Sequence, residues 1–337
     1  MAKDEQIIGA LITLGEPPLS DKIEETTIEF ETPDGATIRG VYCQPKNIPI
    51  TQKALFLHEI EGLYADGAQE VIARRYAKIG IASLRIDFSG HGTRKNEWER
   101  YSPESMFRDA TQSIDWLDME LPDINQTMVC GFSTGGGIAI MLRGVDERVS
   151  KVCNLYPVMS FQHNFIAAAY NDDELIIPLE EWDKLTIWRA YEFTKEKLNA
   201  SLKEDKPFSL VAHTYGAGFI KDCKKLVDDG DDIDMALHFP HPKKVAPLTV
   251  IQGTNDFAVP YIYARVMHQH AQEYSEPFRL VTMKGMNHWV PPKWKASVLH
   301  QFMKAATDTP KQFNPRHTIV SLRPQEKGLT WLDAPLQ

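Results

Sequence analysis

Ser133 sits in Gly131-Phe132-Ser133-Thr134-Gly135 and is followed by Gly136 and Gly137, so four glycines crowd one hydroxyl within seven residues. A serine hydroxyl becomes a useful nucleophile when a neighbouring base takes its proton and a third group orients that base. Two residues further along the chain have the right types: Asp256 in "IQGTNDFAVP" and His288 in "MKGMNHWVPP". The chemistry of such a set is acyl transfer, in which Ser133 attacks, His288 shuttles the proton and Asp256 holds the imidazole tautomer. Taken singly, each residue has a plainer reading: a Gly-Ser turn, an aspartate capping a helix, and one surface histidine among the chain's eleven. Their shared placement, each just past an apolar β-prone run, joins them into one expectation. The set requires no metal and no organic cofactor.

Those runs belong to a regular rhythm. "TTIEFETPDGATIRGVYCQP" alternates apolar and polar residues on both sides of Pro-Asp-Gly, which predicts an antiparallel hairpin, since Asp-Gly tolerates the positive φ of a tight turn. "KALFLHEI" (53–60) and "GIASLRIDF" (80–88) read as strands on either side of a helix over "GAQEVIARRYAKIG". "SPESMFRDATQSIDWLDMEL" reads as a helix opened by a capping region at Ser102 and Ser105, and "TMVCGF" (127–132) as the buried strand that delivers Ser133. "KVCNLYPV" (151–158), "PLTVIQG" (247–253) and "FRLVTMKG" (278–285) supply further strands. Strands alternating with helices predict a mainly parallel sheet with helices on both faces.

The rhythm breaks once. Roughly 85 residues separate "KVCNLYPV" from "PLTVIQG", where a single crossover needs about a dozen. The expected organisation is therefore a core over 25–159 and 245–307, a mostly helical cap over 160–244, and a tail over 308–337. The cap segment is rich in aromatic residues, among them Phe161, Phe165, Tyr170, Trp182, Trp188, Tyr191 and Phe193, and its acidic "DDGDDID" run reads as a solvated loop or helix end. The tail holds four prolines and no helical period; it either wraps the core or carries a strand.

Composition narrows the function classes. A chain of 337 residues with 43% apolar and 25% charged residues can bury a full core. Its formal charge of −9 argues against nucleic acid, whose binding draws on clustered Lys and Arg. Cys43, Cys130, Cys153 and Cys223 are scattered without metal-ligand spacing, so neither a disulfide framework nor a zinc site is expected and a reducing compartment fits. The N-terminal apolar run follows acidic residues and lacks a small-residue cleavage site. No apolar run reaches the ~18 residues of a membrane span. These features together predict a cytoplasmic protein.

Gly-x-Ser-x-Gly after a buried strand and before a helix resembles the nucleophile elbow of the α/β hydrolases, in which the catalytic order is Ser, acid, His. The resemblance implies an α/β-hydrolase fold with an N-terminal antiparallel hairpin and a cap inserted after strand six. It also implies an oxyanion hole from the backbone N–H groups of Thr134, after the nucleophile, and Ile60, in the loop after the third strand. That loop reads His58-Glu59-Ile60-Glu61-Gly62. It resembles the E-I-x-G loop of the dienelactone hydrolases, where the Glu contacts the nucleophile and the Ile supplies an oxyanion N–H, and so marks Glu59 as an auxiliary residue. The nucleophile position differs, carrying Ser here and Cys in that family's best-known members. Glu59 also has a plain reading as a carboxylate bonded to loop backbone. "DFSGHGTRKNEWERYSPESMFRDATQSIDWL" is similar to a segment of the capped feruloyl (cinnamoyl) esterases, and "GAGFIKDC" (216–223) to the end of the cap in those enzymes and in the myristoyl-ACP thioesterases of bacterial bioluminescence. His91, in the first of these segments, reads as a turn histidine.

The expected function is a serine hydrolase that cleaves a small-molecule carboxylic ester or thioester with an apolar or aromatic acyl group. Acyl transfer to a nucleophile other than water would use the same residues, and a non-catalytic binding protein on this scaffold is the alternative of a different class. Dehalogenase and epoxide-hydrolase activities do not fit, because such enzymes place Asp at the elbow. Whether the chain pairs as a homodimer stays open.

Overall fold

The computed structural model describes residues 21–159, 246–309 and 316–321 except 61, 66 and 257, together with short pieces between 200 and 221. The chain opens with the hairpin expected at Pro-Asp-Gly: β1 (Ile23–Glu31) and β2 (Thr37–Pro45) pair antiparallel. Gly35 adopts φ 77° in the connecting turn, a conformation a Cβ disfavours. Then come β3 (Gln52–Leu57), α1 (Gly67–Ala77), β4 (Ile81–Asp87) and a 3-10 helix over Gly92–Arg100. The helix α2 (Pro103–Glu120) starts in a reciprocal capping box, Ser102 and Ser105 each accepting the other's backbone N–H. β5 (Thr127–Phe132), α3 (Thr134–Val145) and β6 (Val149–Leu155) follow.

In the interval after β6, a short antiparallel pair, β7 (Phe208–Leu210) and β8 (His213–Tyr215), is described. Apart from that pair and the other short pieces between 200 and 221, the cap expected over 160–244 lies outside the described residues, as do Trp182 and Trp188. The core resumes with β9 (Leu248–Gly253), α4 (Tyr261–Glu273), β10 (Phe278–Met283) and α5 (Lys295–Thr307). A strand from the tail, β11 (Arg316–Val320), then pairs parallel with β10.

Nine of the eleven described strands form one sheet in the order β1-β2-β4-β3-β5-β6-β9-β10-β11, parallel from β4 onward, and β7 and β8 stand apart. Two apolar clusters cover its faces. One packs Met106, Ile114, Ile138, Leu142, Tyr263 and Met267 of α2, α3 and α4. The other packs Ile72, Tyr76, Leu299 and Phe302 of α1 and α5. The central strands are buried throughout, which is why they read as continuous apolar runs without alternation. Register decides what this sheet can do. Leu57 stands opposite Gly131, Leu155 opposite Ile251 and Gly253 opposite Met283. The loops carrying Ile60, Ser133, Asp256 and His288 therefore all leave the carboxyl edge, where open α/β sheets bind ligands.

β11 is held differently from its neighbours. Its side chains are mostly exposed, so burial contributes little. Thr282 Oγ1 lies 2.7 Å from His317 Nε2 and 2.6 Å from Tyr261 Oη. Burial, and after it the charge of Arg265, hold the His317 imidazole below its ordinary value; burial and then His317 do the same to His268. A folded-state pKa below the unfolded one means that docking is fully stabilised above the ordinary imidazole range and loses stability as the pH falls through it. Amide exchange of Arg316–Val320, corrected for intrinsic rates, should lose protection relative to β9 on going from about pH 7.5 to about pH 5. Equal protection at both pH values would show that the histidines do not secure the strand.

Candidate active site

Ser133 follows β5 and caps α3 with φ 48° and ψ −114°, a strained conformation for a residue with a Cβ, of the kind that persists only where the surroundings over-determine it. Here they do. The Ser133 N–H donates to Leu155 O at 3.1 Å, and the Val158 N–H donates to Ser133 O at 2.8 Å. Asn154 ties the turn from β6: its Oδ1 accepts the Gly131 N–H at 3.1 Å and its Nδ2 donates to Gly136 O at 3.0 Å. The glycines are a packing requirement. A Cβ on Gly131 would stand 2.5 Å from Gly136 Cα, and one on Gly135 would stand 2.4 Å from Leu57 O and 2.5 Å from His58 O. The first turn of α3 is thus pressed against the end of β3, the strand that carries the Ile60 loop.

Asp256 and His288 meet across 32 residues of sequence: His288 Nδ1 lies 3.0 Å from both carboxylate oxygens. Asp256 Oδ1 also accepts the backbone N–H groups of Ala258 and Val259 at 3.0 and 2.8 Å, and Oδ2 accepts Gln252 Nε2 at 2.9 Å. The aspartate does not cap α4, whose N-cap is Pro260, and His288, at 6% exposure, is no surface histidine. Its ring packs 4.2 Å from that of Tyr156, which follows β6 in the same turn that holds Ser133. Among the described residues, no hydrogen bond joins Ser133 Oγ to His288. Such a bond often tightens only when substrate is bound.

The oxyanion candidates, Ile60 and Thr134, are both buried, and neither N–H donates to another described residue. Glu59, between Ile60 and His58, is partly buried, and its backbone carbonyl accepts the Gly62 N–H at 2.9 Å. The neighbouring loop after β4 is rigidly tied. Asp87 accepts from Tyr64 N, Thr93 N and Thr93 Oγ1 at 2.8 Å each. Asp109, on α2, accepts from Ser89 N, Ser89 Oγ and Arg94 Nη1 at 2.9, 3.0 and 2.8 Å. His91 is fully buried in that loop, its ring 5.2 Å from His58 and 4.3 Å from Tyr101, as a structural turn histidine would be. Tyr101 in turn stacks on Phe219 of the inserted interval at 5.0 Å.

The three described cysteines, all buried, do not compete as nucleophiles. Burial pushes the Cys43 and Cys130 thiols up to about 12 and Cys153 well above its ordinary value, so the reactive thiolate is absent near neutrality.

Sequence reasoning missed Asn154, Gln252 and the buried Arg94–Asp109 pair. The signal for the first two was a polar side chain inside an otherwise apolar strand, since such a group is buried only with partners.

An Asp–His pair packed on the turn that holds a strained, glycine-flanked serine at a sheet's carboxyl edge leads to comparison with known folds. No family model matches the chain. Est1E from Butyrivibrio proteoclasticus, solved with ferulic acid bound, superposes with a TM-score of 0.58 at 16% identity, over 83% of this chain and 100% of that one. The α/β hydrolase GrgF from Penicillium sp. sh18 gives 0.57 at 16% identity, over 86% and 99%. The acylaminoacyl peptidase of Pyrococcus horikoshii gives 0.57 at 13% identity, over 89% and 42%. The chain has the α/β-hydrolase fold. An uncharacterised protein of Rickettsia prowazekii is 28% identical over 144 residues, a match that takes in 41% of this chain and spans 58% of that relative's length. No helix among the described residues is long and apolar enough to cross a membrane.

Proposed function

We propose that the chain is a serine hydrolase acting on a small carboxylic ester or thioester. The observation that carries the proposal is the Asp256–His288 pair, 3.0 Å apart and packed on the turn that holds Ser133. In the proposed reaction, His288 Nε2 takes the Ser133 proton as Oγ bonds to the acyl carbon. The carbonyl oxygen gains charge facing the Ile60 and Thr134 N–H groups. As the tetrahedral adduct collapses, the acyl–oxygen or acyl–sulfur bond breaks and His288 returns its proton to the departing alcohol or thiol. A water then repeats the sequence on the acyl-enzyme, releasing the acid and restoring Ser133. Asp256, bonded to His288 Nδ1, fixes the proton on Nδ1 and leaves Nε2 unprotonated as the base. Glu59 is proposed as an auxiliary group that shapes the loop beside the nucleophile.

The solved neighbours include a protein crystallised with ferulic acid and an acylaminoacyl peptidase, and a preference for an apolar or aromatic acyl group is part of the proposal. A panel of p-nitrophenyl esters and acyl thioesters of graded chain length, run beside a feruloyl ester, tests it. Turnover is expected to be greatest for an acyl group longer than acetyl or an aromatic one. Failure to turn over any of them would favour a binding role on this scaffold.

A further inference from the structure

Among the described residues, two partners hold the Glu59–Ile60 peptide through the Glu59 carbonyl. Glu59 O accepts the Gly62 N–H at 2.9 Å and lies 2.6 Å from His58 Nδ1. On the far side of the same ring, Phe88 N donates to His58 Nε2 at 3.0 Å. These backbone partners have fixed roles: a carbonyl can only accept and an N–H can only donate. One species satisfies both, a neutral ring protonated at Nδ1. His58 is fully buried, wedged 4.8 Å from the Phe88 ring and 5.2 Å from His91, so the ring is anchored to the loop after β4 that Asp87 and Asp109 tie down.

In a trans peptide the C=O and the following N–H point in opposite directions, and no peptide bond among the described residues is cis. Two donors on Glu59 O therefore aim the Ile60 N–H away from His58. That N–H donates to no described residue, while the first turn of α3 presses against Leu57 O and His58 O close by. We infer that His58 is a positioning residue: its Nδ1–H···O bond to Glu59 orients the Glu59–Ile60 peptide so that the Ile60 N–H serves as an oxyanion donor. The inference rests on the serine-hydrolase reading above and adds to it a residue that touches no substrate.

The two ring bonds can be separated by substitution. An amide at the Nδ1 position, His58→Asn, keeps a donor for Glu59 O and loses the Phe88 partner. His58→Gln carries its amide to the Nε2 position, keeps an acceptor for the Phe88 N–H, and loses the donor to Glu59 O. With p-nitrophenyl acetate, His58→Gln is expected to lose about tenfold to a hundredfold in kcat with KM changed less than about threefold, because a misaimed donor is lost in the transition state more than in the ground state. Inhibition by a trifluoromethyl ketone, whose adduct places an anionic oxygen in the same position, should weaken in parallel. His58→Asn should keep kcat within about threefold of wild type.

Equal losses in the two variants, or a drop in thermal stability without a change in kcat, would overturn the inference. Ring 15N chemical shifts of His58 in the full chain provide a readout independent of turnover. The Nδ1–H tautomer is expected, and the Nε2–H tautomer would refute the assignment even if no ester proves to be a substrate. Loss of all turnover in the wild-type protein, with the Nδ1–H tautomer present, would count against the serine-hydrolase reading and not against the peptide geometry.

Discussion

Ser133→Ala should lower kcat on any ester the protein turns over by about 10⁶-fold and abolish labelling by a fluorophosphonate probe. The size of the loss follows from the division of labour proposed for the site. With Oγ gone, His288 has no proton to take from a nucleophile, and the two backbone donors and the binding surface alone leave about 10³–10⁴ over water. The fold should survive. Ser133 Oγ makes no hydrogen bond to a described residue. The backbone bonds that hold the elbow, to Leu155 O and from Val158 N, do not involve the side chain, and alanine carries the same Cβ in the same strained φ. Thermal unfolding of the variant should therefore lie close to wild type while labelling is lost. Persistent labelling would move the nucleophile to another residue.

Asp256→Asn should cost about 10⁴-fold in kcat, and the hydrogen bonds around the carboxylate explain why so small a change matters. Every described partner of Asp256 is a donor: Ala258 N, Val259 N, Gln252 Nε2 and His288 Nδ1. An asparagine has one oxygen to offer. If it serves the two backbone N–H groups, its NH₂ faces Gln252 and His288, and the imidazole shifts its proton to Nε2. A ring protonated at Nε2 cannot accept the Ser133 proton. Rotation of the Gln252 amide gives no relief, because its oxygen would then face Val259 O, which Nε2 now bonds at 3.0 Å. Measuring kcat for Asp256→Asn beside Asp256→Ala checks this. A loss below about tenfold would show that Asp256 is not the group that orients His288.

Much of the architecture was legible in local pattern. The hairpin turns where Asp34-Gly35 allows positive φ, and α2 begins at the Ser102–Ser105 box. β5 runs over Thr127–Phe132, the same bounds as the apolar run "TMVCGF". Strand ends were less legible. "KALFLHEI" leaves the ladder at Leu57 and "KVCNLYPV" at Leu155, although Ile60 and Tyr156 beyond those points are buried. An apolar run reports burial, and loops under a sheet edge are buried too. Tyr156 has φ 41°, a departure from strand geometry that its residue type does not announce.

The strand-turn-helix around Ser133 is the part that the sequence determined by itself, because steric demands there act over a few residues: without glycine at 131 and 135 the helix and strand collide. That a carboxylate and an imidazole would be available was also visible, as residue types past two strands. Tertiary structure alone decided that they meet, since the 3.0 Å between His288 and Asp256 depends on β9 and β10 lying side by side in register. It alone set Asn154 across the elbow, turned His58 toward the Glu59 carbonyl, and chose a strand over a wrap for residues 316–320. A hydrogen bond of a few ångströms between distant residues reflects the packing of the whole sheet, and the same side chain in another register would find a different partner or none.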